Sequence, residues 1–167
     1  MGLGTQEVCH ISFVVKDIEK TVKNWSVLLG IDLPRIWNIP TPEEAPALTN
    51  GVLEDYSDCR ISVIKMKNIT VEFVQPGQKS SPWKTWLEEH GEGFQHISFV
   101  VEDRDAAKKL IQDEFGVADW YHIGYYPGGT YAFYDTKNAL GTEINIKSND
   151  DNTAMITELL KGWNTQS

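Results

Sequence analysis

The sequence predicts an α+β protein built from two tandem βαβββ modules, and three observations predict it. The hexapeptide His-Ile-Ser-Phe-Val-Val occurs at residues 10–15 and again at 96–101, an internal repeat of the kind that marks a duplicated supersecondary unit. Each copy runs into an amphipathic segment opened by an aspartate, Asp17 or Asp103. Each segment then stops at a glycine, Gly30 or Gly116.

The first repeat reads as a strand over 8–15. Apolar residues at Ile18, Val22, Trp25, Leu28 and Leu29 follow at helical spacing. Asp17 suits the N-cap, because its short carboxylate can accept from the free N–H groups of the first turn. Gly30 suits the left-handed residue that ends a helix. Strands are expected at 34–39, 60–66 and 70–74, with Lys67-Asn68 as the turn between the last two. Residues 40–58 contain Pro40, Pro42 and Pro46 and several acids without clean periodicity, so a long functional or solvated loop is expected.

Pro76 to Pro82 reads as a loop feeding a helix over 82–90, with Ser81 as N-cap and Pro82 as first helical residue. Lys79 and Lys84 near that N-terminus could attract a phosphate or carboxylate, although a capped surface helix is the usual reading. The second repeat gives a strand over 94–101, a helix carrying Ala106, Ala107, Leu110, Ile111 and Phe115, and strands at 120–123, 130–134 and 142–147. Met155, Ile156, Leu159, Leu160 and Trp163 form a final apolar stripe, to be packed on the outside of the domain or on a partner chain. The expected organisation is a first module over 1–75, a linker with a short helix over 76–93, a second module over 94–150 and a C-terminal helix and tail over 151–167, all in one structural domain.

Charge and composition narrow the partners. A net charge of -9 over 167 residues argues against a nucleic-acid backbone or an anionic membrane surface. The longest apolar runs are too short to span a bilayer, and the N-terminus lacks the regions of a signal peptide. Cys9 and Cys59 show no paired spacing, as in reduced cytosolic proteins. A cytoplasmic protein acting on a small molecule is expected.

Strand parity singles out the chemistry. Ile11, Phe13 and Val15 share one face of their strand, leaving His10 and Ser12 on the other; Ile97, Phe99 and Val101 oppose His96 and Ser98. In the last strand of the first module Glu72 opposes Val71 and Phe73. In that of the second, Glu143 and Asn145 oppose Ile144 and Ile146. Singly, a strand histidine is more often a hydrogen-bonded core residue, and a strand glutamate more often faces water. Jointly, one His and one Glu at corresponding places of two repeated units suggest convergence on a divalent cation, because a buried carboxylate needs compensation.

Paired βαβββ modules with His, Glu, His and Glu at these stations resemble the vicinal oxygen chelate superfamily, which includes glyoxalase I, methylmalonyl-CoA epimerase, extradiol dioxygenases and antibiotic-resistance proteins. The resemblance covers about residues 7–147. The segment Val71-Glu72-Phe73-Val74-Gln75-Pro76, with Ser81-Pro82 and the run from Leu87 to Ile97, is most similar to methylmalonyl-CoA epimerase-like proteins. Those epimerases often carry Gln where this chain has Glu72, whereas glyoxalases carry Glu.

The resemblance implies an open barrel-like cleft around one divalent ion (Zn, Co, Ni, Mn or Fe) held by His10, Glu72, His96 and Glu143. It further implies a metal-dependent epimerase or isomerase that abstracts a proton next to a carbonyl, with Glu143 as first candidate base and Glu72 as second. A glyoxalase I-like isomerisation or lyase reaction of a thiol adduct is the enzymatic alternative; a drug-binding resistance protein is the non-enzymatic one. Homodimers are common in the family.

Overall fold

The structure is a computed structural model and describes residues 2–163, the side chain of Trp163 lying outside the described residues. In chain order the elements are β1 (Val8–Val14), α1 (Ile18–Leu29), β2 (Ile36–Asn38), β3 (Ala47–Thr49), β4 (Val52–Glu54), β5 (Arg60–Lys65), β6 (Thr70–Gln75) and α2 (Pro82–His90). They continue with β7 (Gly93–Val101), α3 (Arg104–Phe115), β8 (His122–Tyr126), β9 (Gly129–Tyr134), α4 (Lys137–Leu140), β10 (Glu143–Ser148) and α5 (Thr153–Trp163). They form two compact units. One contains His10–Ile39 and Tyr56–Gln95; the other contains the segment up to Cys9, Pro40–Asp55 and the chain from His96 onward.

Each repeat folds as the sequence predicts, and in the same strand order. In the first unit β1 pairs parallel with β6, β6 antiparallel with β5, and β5 antiparallel with β2. In the second, β7 pairs parallel with β10, β10 antiparallel with β9, and β9 antiparallel with β8. The architecture is α+β with two βαβββ modules.

The helices begin and end for local reasons. Asp17 accepts from Lys20 N at 3.0 Å and Asp103 from Ala106 N at 2.9 Å, so each satisfies an orphan donor of the first turn. Gly30 and Gly116 close the helices at φ 64° and 70°, a left-handed conformation that strains any residue with a Cβ. The apolar strand faces pack on these helices. Ile64, Val71 and Phe73 form one core with Ile18 and Val22 of α1, supported by Ile11, Phe13 and Trp25. Ile123, Ala132, Tyr134, Ile144 and Ile146 form the other with Ala107 and Ile111 of α3, supported by Ile97 and Phe99. Each fully buried large apolar side chain contributes roughly 1.5–3 kcal/mol, which fixes the opposite strand face for the polar residues.

Two segments differ from the sequence expectation. Residues 40–58 are not one irregular loop: β3 and β4 form a hairpin whose first strand pairs with β8, aligning Thr49 with His122. Three-residue strands are too short for a readable alternation, yet Asn50-Gly51 is a strong two-residue hairpin signal, and both residues take positive φ, 51° and 80°. The connection after β9 contains the short helix α4, which brings Lys137 toward β10. Of the two placements expected for α5, the domain's own surface is the one seen: Ile156 and Leu159 pack against the second unit's core. Among the described residues no helix is long and apolar enough to cross a membrane.

Asp103→Ala removes the α3 cap without touching the core, so urea unfolding should report a loss of about 1 kcal/mol; an unchanged midpoint would contradict the capping role.

Candidate functional site

The repeated histidines and the carboxylates lie on the strand face turned away from the helices, as parity requires. In the first unit β1 and β6 align Ser12 with Glu72 and His10 with Thr70. Ser12 Oγ donates to Glu72 Oε1 at 3.0 Å, and His10 Nε2 lies 3.8 Å from the same oxygen. That separation is too long for a hydrogen bond. It falls in the range expected of two ligands on one ion, whose bonds of about 2.1 Å place neighbouring donors about 3–4 Å apart. The His10 side chain is 6% exposed and Glu72 17%, so the imidazole is buried while the carboxylate keeps an open side.

In the second unit β7 and β10 align His96 with Glu143 and Ser98 with Asn145. Ser98 Oγ donates to Asn145 Oδ1 at 2.9 Å. The two glutamates therefore share a strand position type and a face but not a station. The repeated Ser12 and Ser98 face Glu72 in one unit and Asn145 in the other, while Glu143 corresponds to Thr70. A two-residue offset preserves parity, so alternation alone could not detect it.

Glu143 is among the most buried acids, its side chain 4% exposed, and both oxygens are engaged. Lys137 Nζ donates to Oε1 at 2.8 Å and Tyr121 Oη to Oε2 at 2.6 Å. Burial and the neighbouring Glu143 carboxylate push the Tyr121 phenol well above its ordinary range, so it remains a donor. Desolvation opposes the charge on Lys137, but its contacts with Glu143 and Asp135 prevail and raise its pKa. Sequence reading did not connect these partners. Tyr121 sits in an aromatic-rich stretch, and Lys137 on a four-residue helix without a periodic signal.

A polar and aromatic row crosses the same sheet from Asn145 through Phe133 and His122 to Thr49. His122 is fully buried, its Nδ1 2.8 Å from Thr49 Oγ1 and its Nε2 3.4 Å from Tyr131 Oη. It stacks on Phe133, at 5.0 Å between ring centroids, and Phe133 also lies 4.8 Å from the His96 ring. Burial lowers the His122 pKa to about 3, so it stays a neutral imidazole. Tyr131 covers Gly124 so closely that an added Cβ would sit 2.1 Å from its ring. The other sequence candidate, the N-terminus of α2, is closed by its own chain: Ser81 caps it, and Lys84 Nζ donates to the Gln78 carbonyl.

A family model of the Glyoxalase/Bleomycin resistance protein/Dioxygenase superfamily matches residues 9–134. The chain belongs to that superfamily. Similar solved structures include a methylmalonyl-CoA epimerase from Mycobacterium tuberculosis, 17% identical, with a TM-score of 0.58 over 93% of this chain and 95% of that one. A Streptomyces coelicolor methylmalonyl-CoA epimerase in complex with 2-nitronate-propionyl-CoA is 19% identical, with a TM-score of 0.58 over 86% and 94%. A hypothetical protein from Bacillus halodurans is 16% identical, with a TM-score of 0.60 over 87% and 95%. No curated protein matches the sequence. At these identities the structural likeness establishes the fold and leaves the reaction open.

His122 gives a pH prediction. Its folded pKa of about 3 lies below an unfolded value of about 6.5. Between those values only the unfolded chain gains the proton, so stability is complete above that window and falls as pH drops through it. The slope is up to about 1.4 kcal/mol per pH unit. Urea midpoints at pH 7 and pH 5 should fall further for the native sequence than for His122→Gln; equal losses would contradict the buried neutral state.

Proposed function

We propose that the protein is a metal-dependent epimerase or isomerase acting on a carbon next to a carbonyl, of the methylmalonyl-CoA epimerase type. The observation that carries the reading is its donor set. In the first unit His10 Nε2 lies 3.8 Å from Glu72 Oε1, and in the second His96 holds the matching station of the repeat, aligned with Glu143 as His10 is with Thr70. Two imidazoles and a carboxylate suit Zn, Co, Ni, Mn or Fe, and fewer than six protein donors leave positions for substrate oxygens. Once bound, such an ion supplies Lewis-acid stabilisation of the negative charge that develops as the proton leaves, worth several kcal/mol.

The chain's own residues account for the proton. Glu143 is the proposed base. Lys137 and Tyr121 together fix the plane of its carboxylate, as positioned proton transfer requires. The sequence also made Glu143 a fourth metal ligand; the two hydrogen bonds it already accepts favour the base role. Glu72, steadied by Ser12, is the second acid, proposed to return the proton. Return to the opposite face of the same carbon gives epimerisation, and return to the adjacent carbon gives isomerisation. His122, held neutral and hydrogen-bonded, adds a polar group to an aromatic wall that contains Phe133 and Tyr131.

A small-molecule substrate carrying adjacent oxygens is proposed, with a 2-substituted acyl thioester first. The glyoxalase-type alternative draws support from Glu72 being a carboxylate and uses the same proton abstraction on a thiol adduct. A cytoplasmic homodimer is proposed as the working form. It is supported by the apolar residues Val27, Leu28, Ile31 and Leu33, all exposed at the end of α1 and just beyond it.

The test is solvent deuterium exchange followed by NMR, with methylmalonyl-CoA, other 2-substituted acyl thioesters and a thiol hemithioacetal. Exchange that requires metal, and that Glu143→Gln slows by about 10²–10⁴-fold, is expected. Stoichiometric metal with no exchange on any of them would overturn the reaction class. A chain that holds no ion and melts identically with chelator would favour a binding protein instead.

A further inference from the structure

We infer that the second half of the metal site is His96 with Asn145, and that Glu143 stays off the ion as a carboxylate held by Lys137. The inference rests on the metal-site reading above and assigns its fourth donor. Its first support is register. The repeated His-Ile-Ser motif pairs with β6 in one unit and with β10 in the other, and Ser12 faces Glu72 as Ser98 faces Asn145. By duplication, the residue that stands where Glu72 stands is Asn145.

The second support is that the supporting hydrogen bond is duplicated too. Ser12 Oγ donates to Glu72 Oε1 at 3.0 Å and Ser98 Oγ to Asn145 Oδ1 at 2.9 Å. In both units a serine orients an oxygen acceptor, the kind of outer contact that steadies metal ligands. An amide oxygen accepts twice, so the bond from Ser98 leaves one lone pair of Asn145 for an ion. Asn145 is 1% exposed, so bulk water does not compete for it.

The third support is that Glu143 is committed elsewhere. Lys137 occupies Oε1 and also pairs with Asp135 at 2.9 Å, while Tyr121 occupies Oε2. Moving Glu143 onto an ion would cost it its Lys137 and Tyr121 contacts at a position almost closed to solvent. Thr70, its counterpart in the first unit, carries no charge.

The consequence is electrostatic. A donor set with one carboxylate leaves a divalent ion one net positive charge, where two carboxylates would cancel it. Such a site favours a substrate that contributes an anionic oxygen of its own, as a carboxylate next to a carbonyl does, and keeps Glu143 off the ion in the position from which it is proposed to act on the proton.

Calorimetric titration of Co2+ into the chelator-stripped full chain tests this, with apo-state melts confirming that each variant folds. One ion per chain is expected for the native sequence. Asn145→Asp adds a charge to the donor and should tighten binding about tenfold, with a changed cobalt visible spectrum. Asn145→Ala should weaken it about tenfold or more. The double variant Lys137→Met/Glu143→Gln removes both partner charges together and should stay within about threefold of native affinity. Should Asn145→Ala fail to fold, Asn145→Asp decides. An unchanged Asn145→Asp, or a double variant weakened more than about tenfold, would overturn the assignment while leaving the metal site standing. A native chain that takes up no cobalt would overturn the metal reading itself and this assignment with it.

Discussion

The parallel pairing of first and last strand within each repeat is the constraint on which everything else depends. Parallel partners place paired side chains on the same face, so helix packing on one face dictates what gathers on the other. Ile11, Phe13, Val71 and Phe73 bury against α1, which leaves His10, Ser12 and Glu72 together. Ile97, Phe99, Ile144 and Ile146 bury with α3, which leaves His96, Ser98, Glu143 and Asn145 together. A one-residue slip in either pairing would turn the polar set into the core and expose the apolar set. The hydrophobic cores thus supply both stability and the alignment of the candidate ligands.

The two units have diverged chemically on that shared frame. The first presents a carboxylate to its serine, with one oxygen close to an imidazole. The second presents an amide to its serine and sets its carboxylate two residues away, between a lysine and a tyrosine. In the proposed reading, duplication produced two copies of a donor station, and substitution separated metal binding from proton handling in the second copy. That division gives a reason for Lys137 and Tyr121, which contribute little to either core.

Much of this was legible in the sequence because it is written in local rules. The repeat located both β1 and β7, Asp17 and Asp103 marked the helix starts, Gly30 and Gly116 the ends, and alternation identified the face of every candidate ligand. What parity cannot resolve is register: Glu143 and Asn145 lie on the same face, and only the pairing of β10 with β7 shows which one faces Ser98. The partners of Glu143 come from α4 and from the residue before β8, neither of which carries a periodic signal. The β3–β4 hairpin was announced by Asn50-Gly51, but its strands are shorter than any pattern that alternation can detect. Thr49 meets His122 through that hairpin, a contact 73 residues apart in the chain.

X-ray absorption at the cobalt edge of the Co2+-loaded chain tests the central claim most directly, because outer-shell scattering counts imidazoles on the ion. The account predicts a first shell of nitrogen and oxygen with two imidazoles, falling to one in His10→Ala and in His96→Ala. A shell without imidazole scattering, or one unchanged by both substitutions, would contradict it.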